Sequence, residues 1–159
     1  MARSTASFFL YKEFTKKDPL QQEAELLREK SITNFAPQDF DAGDDYSKEI
    51  LQGNVLLIYS LSSCDACRKE LQFFSENGAG GNSKTRVFAV MAESEQTIKE
   101  YIEKNKVRIP VLIDKDGEML RTLDLKYFPA NLRLDNSKIT KASFGMPKNP
   151  NDLLEQISY

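Results

Sequence analysis

The sequence predicts an α/β fold, a central mixed β-sheet flanked by helices, and three observations carry that prediction. Apolar runs of strand length at 55–60 and 86–91 alternate with helix-patterned segments, the order that builds a parallel sheet core. Beyond residue 110 short strands surround Asp135-Asn136-Ser137-Lys138, a turn that adds an antiparallel hairpin. The only two cysteines, Cys64 and Cys67, stand two residues apart where the first core strand meets its helix.

Residues 1–17 read as a leader ending in Lys16-Lys17. Asp18 caps a helix with Pro19 at its first position. Its stripe of Leu20, Ala24, Leu26 and Leu27 is expected to pack on the domain in preference to docking a partner. Asn34 to Asp45 reads as an acidic loop, Tyr46 to Leu51 as a short helix, and Gly53-Asn54 as the turn into the first core strand. The helix after the cysteines runs from about Asp65 to Glu76, with Phe73 and Phe74 as core residues. Asn77 to Ser83 is a glycine-rich loop but no phosphate cradle, since it follows a helix and lacks a Gly-Lys-Ser/Thr ending. Ser94 caps the next helix, through Lys104, with Ile98, Tyr101 and Ile102 inward. Pro110 to Ile113 is a short strand, Asp114 to Gly117 a turn, and Glu118 to Leu125 a short helix. The hairpin strands cover 130–135 and 138–144, and Asn149-Pro150-Asn151-Asp152 opens a last helix, Leu153 to Ile157.

Composition narrows the function. With 159 residues, 40% of them hydrophobic and 29% charged, the chain is one ordinary globular domain with room for a core. A net charge of −2 leaves no basic excess to displace counterions from phosphate, so no nucleic-acid partner is expected. The absence of histidine removes Cys–His and Ser–His catalysis and most histidine metal sites. No run approaches the roughly 20 apolar residues of a membrane span. The apolar Phe8-Phe9-Leu10-Tyr11 is too short for a convincing signal peptide, which leaves a cytoplasmic protein or a chain cut just after a signal or anchor. Two cysteines with none spare suit an oxidising compartment.

The cysteine pair is the chemical signal. A thiol at a helix N-terminus meets unpaired N–H groups and the positive end of the helix dipole, which favour a thiolate. A second thiol one turn on can resolve a mixed disulfide. Zinc would need four ligands and the pair supplies two, so no metal is expected. A purely structural bridge across two residues closes too short a loop to remove much chain entropy. Redox chemistry is the better reading, with Cys64 as nucleophile and Cys67 as resolver.

The order of elements resembles the thioredoxin fold, and over about residues 35–158 it looks most like the TlpA/ResA-like thiol–disulfide oxidoreductases. Cys64-Asp65-Ala66-Cys67-Arg68-Lys69-Glu70 is similar to the family's Cys-x-x-Cys-Lys/Arg-Lys-Glu. Met91-Ala92-Glu93-Ser94 stands at the family's acidic turn, and Ile109 to Gly117 at its Phe-Pro-Val-x-x-Asp segment. Pro129 falls where the family has a cis-proline facing the disulfide. The chain departs from the pattern at Ser63 (usually Trp), Ala66 (often Pro), Phe128 (usually Thr) and the polar strand Asn131-Leu132-Arg133-Leu134.

The resemblance implies a thioredoxin-like domain at 35–159 behind an N-terminal leader and helix at 1–34. It implies that Glu70 accepts the Cys67 proton, and that Phe128 and Pro129 bring backbone beside the cysteines to pair with a client's extended chain. Asp65 would tune or recognise. Near the sulfurs, Asp65 and Glu70 disfavour a second negative charge, so a mild reductant of protein disulfides is expected, without a cofactor. The implied partners are a protein thiol or disulfide client and an upstream electron donor, outside the cytoplasm, with a native membrane anchor beyond this chain. A cytoplasmic site is the alternative. Competing functions are a redox-inert, partner-binding module and a thiol peroxidase, though Leu61 stands where the latter needs threonine. A copper carrier would want a wider cysteine spacing and a histidine.

Overall fold

The computed structural model of the protein describes residues 18–32, 38–39, 52–77 and 84–155. The expected leader, most of the loop at 34–45, the short helix at 46–51, nearly all of the glycine-rich loop and the last residues of the final helix lie outside the described residues.

Among the described residues six strands form one mixed sheet, in the order β1-β4-β3-β2-β5-β6. They are β1 (Gln38–Asp39), β2 (Asn54–Tyr59), β3 (Arg86–Met91), β4 (Val111–Ile113), β5 (Ala130–Asp135) and β6 (Lys138–Phe144). β2, β3 and β4 run parallel, while β1, β5 and β6 each pair antiparallel with a neighbour. Five of these match the strand segments expected from the sequence; the sixth is the two-residue β1, in a segment that reads as loop because so short a pairing leaves no alternation to detect.

The helices are α1 (Pro19–Leu27), α2 (Asp65–Glu76), α3 (Glu95–Asn105), α4 (Glu118–Thr122) and α5 (Asn151–Glu155). Side-chain alternation along β2 divides the core in two. Val55, Leu57 and Tyr59 join Leu27, Ile32, Met119 and Leu132 on one face of the sheet. Leu56 and Ile58 join Leu71, Phe74, Ile98 and Leu153 on the other. Thus α1 and α4 cover one face, and α2, α3 and α5 the opposite one.

Three details differ from the sequence reading. Leu26 is 65% exposed, because α1 is a single-sided helix whose contact with the sheet runs through Leu27. α4 ends at Thr122, not Leu125, as Asp124 turns into positive φ. The final helix begins at Asn151, two residues early. The N-terminal helix does pack on the domain: Glu29 N–H donates to the Ile139 carbonyl at 2.9 Å, and Ile139 N–H to that of Lys30 at 2.9 Å. The hairpin turn has positive φ at both Asn136 and Ser137, the geometry a two-residue connection of twisted strands requires.

One buried carboxylate pins the second half of the chain to the first. Asp114, just past β4, accepts the Tyr59 hydroxyl at 2.5 Å, the Met119 N–H at 2.9 Å and the Leu120 N–H at 3.0 Å. It therefore caps α4 and holds the carboxyl end of β2. Burial first, then the Asp114 bond, push the Tyr59 phenol far above its ordinary range, so it stays a donor. Asp114→Ala strands these three donors and is expected to cost roughly 3 kcal/mol in urea unfolding, against about 1 for Tyr59→Phe, which leaves Asp114 two donors.

Candidate active site

Three short loops meet at the carboxyl end of β2. The first is Ser60 to Ser63, which delivers Cys64 as the N-cap of α2. The Cys64 sulfur accepts the Cys67 N–H at 3.1 Å, the bond a capping oxygen would otherwise take. Cys64 and Cys67 form a disulfide, with Cα atoms 5.2 Å apart. Cys67 is fully buried and Cys64 partly exposed. The electropositive start of the helix thus bears on the reachable sulfur, which suits nucleophilic attack.

Cys67, Glu70, Leu71 and Phe74 share the buried face of α2 at helical spacing. Glu70 is therefore inside the domain, its side chain fully buried, one turn beyond Cys67. Burial pushes its carboxyl up to about 8, against the partly compensating bond from the Asn131 amide, 2.9 Å away. Asn131 was not singled out by the sequence reading. Its signal was there: Ala130, Leu132 and Leu134 are apolar on one face of β5, so Asn131 and Arg133 must turn to the α2 face. Asn131 lies opposite Ile58 of β2, which places its amide under the helix.

Asp65 and Glu70 have separate environments. Asp65 is 64% exposed and pairs with Arg68 and, at 3.2 Å, Lys69 on the outer side of α2. Its carboxyl is held below the usual range by those bonds, Arg68 first. Two basic neighbours thus offset the charge nearest Cys64.

The second loop carries Phe128-Pro129, whose peptide bond is cis, as the resemblance implies. Pro129 is buried, and its carbonyl accepts the Gly145 N–H at 2.9 Å. Gly145 has a φ of +80°, a conformation that suits glycine at this crossing. The Phe128 ring packs against Tyr59 at 6.0 Å between centroids, so the Asp114–Tyr59 network reaches this loop.

The third loop supplies Glu93, a second residue the sequence reading placed without a role. Its carboxylate accepts the Ser62 N–H at 2.9 Å and the Ser62 hydroxyl at 2.8 Å, tying the approach to Cys64 onto the end of β3. Beside Cys64 an open cleft of about 620 Å³ is lined by Ser63, Arg68, Glu100, Tyr101 and Lys104, among others. Among the described residues no group of three acidic or cysteine side chains is placed to hold a metal ion, and no helix is long and apolar enough to cross a membrane.

The profile of the AhpC/TSA family matches residues 29–144. Sporulation thiol-disulfide oxidoreductase A of Bacillus subtilis is 26% identical over 109 residues, 65% of this chain and 66% of that protein. Thiol-disulfide oxidoreductase ResA of Bacillus thuringiensis is 25% identical over 108 residues, 67% of this chain and 62% of that protein. The match thus spans just under two thirds of the length of these relatives. Among solved structures, the exposed lipoprotein thioredoxin of Streptococcus pneumoniae superposes with a TM-score of 0.65 at 22% identity, covering 77% of this chain and 96% of that one. The fold is thioredoxin-like, as the element order led one to expect.

Proposed function

The chain belongs to the AhpC/TSA family, and from that premise we propose that it is a thiol–disulfide oxidoreductase acting on protein disulfides as a mild reductant. The observation that carries this reading is the disulfide itself: a partly exposed sulfur at the start of α2, with its buried partner one turn inside.

In the reducing direction the Cys64 thiolate attacks a client disulfide, forming a Cys64–client bond and expelling one client sulfur as thiolate. Cys67 gives its proton to the Glu70 carboxylate and attacks the Cys64 sulfur. The Cys64–Cys67 bond forms, the Cys64–client bond breaks, and the second client sulfur leaves as thiolate. Two electrons pass from the enzyme dithiol to the client. An upstream donor must then reduce the enzyme. The Phe128-Pro129 turn would present backbone to the client's extended chain, and the cleft at Arg68, Tyr101 and Lys104 would take its flanking residues. The names of the relatives support the oxidoreductase chemistry, and the description of one neighbour as an exposed lipoprotein supports an extracytoplasmic setting.

The direction of reaction rests on weak thiolate stabilisation: the helix N-terminus acts with no histidine and no proline in the motif. Equilibration of the Cys64/Cys67 pair with glutathione buffers tests it. A potential on the reducing side of the glutathione couple is expected; one as oxidising as about −120 mV would reverse the assigned direction. After reduction, iodoacetamide at neutral pH should label Cys64 first. Faster labelling of Cys67 would exchange nucleophile and resolver.

A further inference from the structure

Two buried acceptors on one hydrogen-bonded pair lack a partner. The Asn131 amide donates to Glu70 Oε1 at 2.9 Å, yet Glu70 Oε2 and Asn131 Oδ1 have no donor, and both atoms are shut from solvent. A buried polar atom left unpaired has lost its water without replacement, a loss that is larger for a charged atom. A single proton on Glu70 answers both vacancies. A neutral carboxylic acid facing a primary amide closes a ring of two bonds, N–H to acid carbonyl and acid O–H to amide carbonyl.

Resting on the oxidoreductase reading above, we propose that Asn131 is a positioning residue that serves Glu70 in both of its protonation states. In the disulfide form it closes the two-bond pair with the neutral acid, which holds the proton taken from Cys67. In the form that accepts that proton it gives one N–H to the carboxylate. An aliphatic side chain of similar size would support neither state, and the carboxylate would suffer more, since it would be a buried charge with no donor.

Other ionisable groups do not explain the arrangement. Asp65, Arg68 and Lys69 stand on the solvent side of α2 and pair among themselves. Arg133 of β5, Lys141 of β6 and Asp152 and Glu155 of α5 line a separate cleft of about 550 Å³ that Asn131 also borders. The causes of the Glu70 shift are burial and the Asn131 bond alone.

The test uses Asn131→Val, which removes both partners, and Asn131→Thr, whose hydroxyl both donates and accepts. Single-turnover release of a client from the mixed disulfide is followed against pH. In Asn131→Val the midpoint should rise by at least one pH unit, slowing release at pH 7 about tenfold, and Asn131→Thr should recover most of that loss. Infrared spectra of the disulfide form read the pair without any client. A protonated carboxyl band at pH 7, absent in Glu70→Gln, should move to higher frequency in Asn131→Val and stay near its original position in Asn131→Thr. An unshifted band or an unshifted pH profile in Asn131→Val overturns the proposal. Should that variant not fold, a wild-type protein without the protonated band at pH 7 overturns it, and a band retained by Asn131→Thr supports it. If no disulfide is reduced at all, the oxidoreductase reading falls, while the infrared result still decides the role of Asn131.

Discussion

Cys67→Ser is expected to stop the cycle halfway, leaving client protein covalently held on Cys64. The reason is positional. Cys64 can still attack, because its sulfur lies at the exposed start of α2, but the group that resolves the mixed disulfide is gone. Non-reducing electrophoresis of the variant after exposure to oxidised client should show a stable adduct, released by dithiothreitol. Cys64→Ser should show no adduct, and insulin reduction should fall about a thousandfold or more, the scale on which loss of a covalent nucleophile acts. Adduct formation by Cys64→Ser through Cys67 would require α2 to expose a sulfur that is now fully buried. That outcome would overturn the assigned roles.

The second large effect concerns Glu70 and pH. The unfolded chain ionises this carboxyl near its ordinary 4.5, whereas the folded protein holds the proton to about 8 because the site is buried. Between those values the unfolded state has released a proton that the native state retains. Stability is therefore greatest below about 4.5, falls as pH rises, and levels off above about 8. At about 1.4 kcal/mol per pH unit, the ionised native form is disfavoured by on the order of 5 kcal/mol. Glu70→Gln resembles the neutral acid, with an amide that can pair with Asn131, and has no proton to lose. Urea unfolding of the disulfide forms should find the two proteins similar at pH 4 and the variant several kcal/mol more stable at pH 8.5. In the reduced protein the same substitution should lower the apparent thiol pKa values and slow client release. Stability curves that run parallel across this range would mean that folding leaves the proton affinity of the Glu70 carboxyl unchanged.

Much of this was legible from local pattern. The strands of 86–91, 130–135 and 138–144, the helix of 65–76 and its neighbour capped by Ser94 all lie within a residue of expectation. Each has a strong local cause: an apolar run bounded by turn residues, or a capping side chain before a helical stripe. Glu70 was half legible. Spacing alone puts it on the Cys67, Leu71 and Phe74 face, but solvent and core are equally open to a glutamate until something covers that face.

What sequence alone determined here was whatever depends on neighbours along the chain. The α/β order, the start of the redox helix and the choice of Cys64 as its cap are such properties, since helix termini and strand alternation are set within a few residues. The tertiary structure decided what depends on residues brought together from afar. Asn131 reaches Glu70 across 61 positions, Tyr59 reaches Asp114 across 55, and Glu93 reaches Ser62 across 31. No local pattern encodes those pairings. They follow from the register of β2 against β5 and β3, which the two apolar cores fix by burying alternate faces of the sheet. Only in that register does a carboxylate lose its water beside a cysteine, and desolvation, a property of the assembled fold, then gives it a proton to hold.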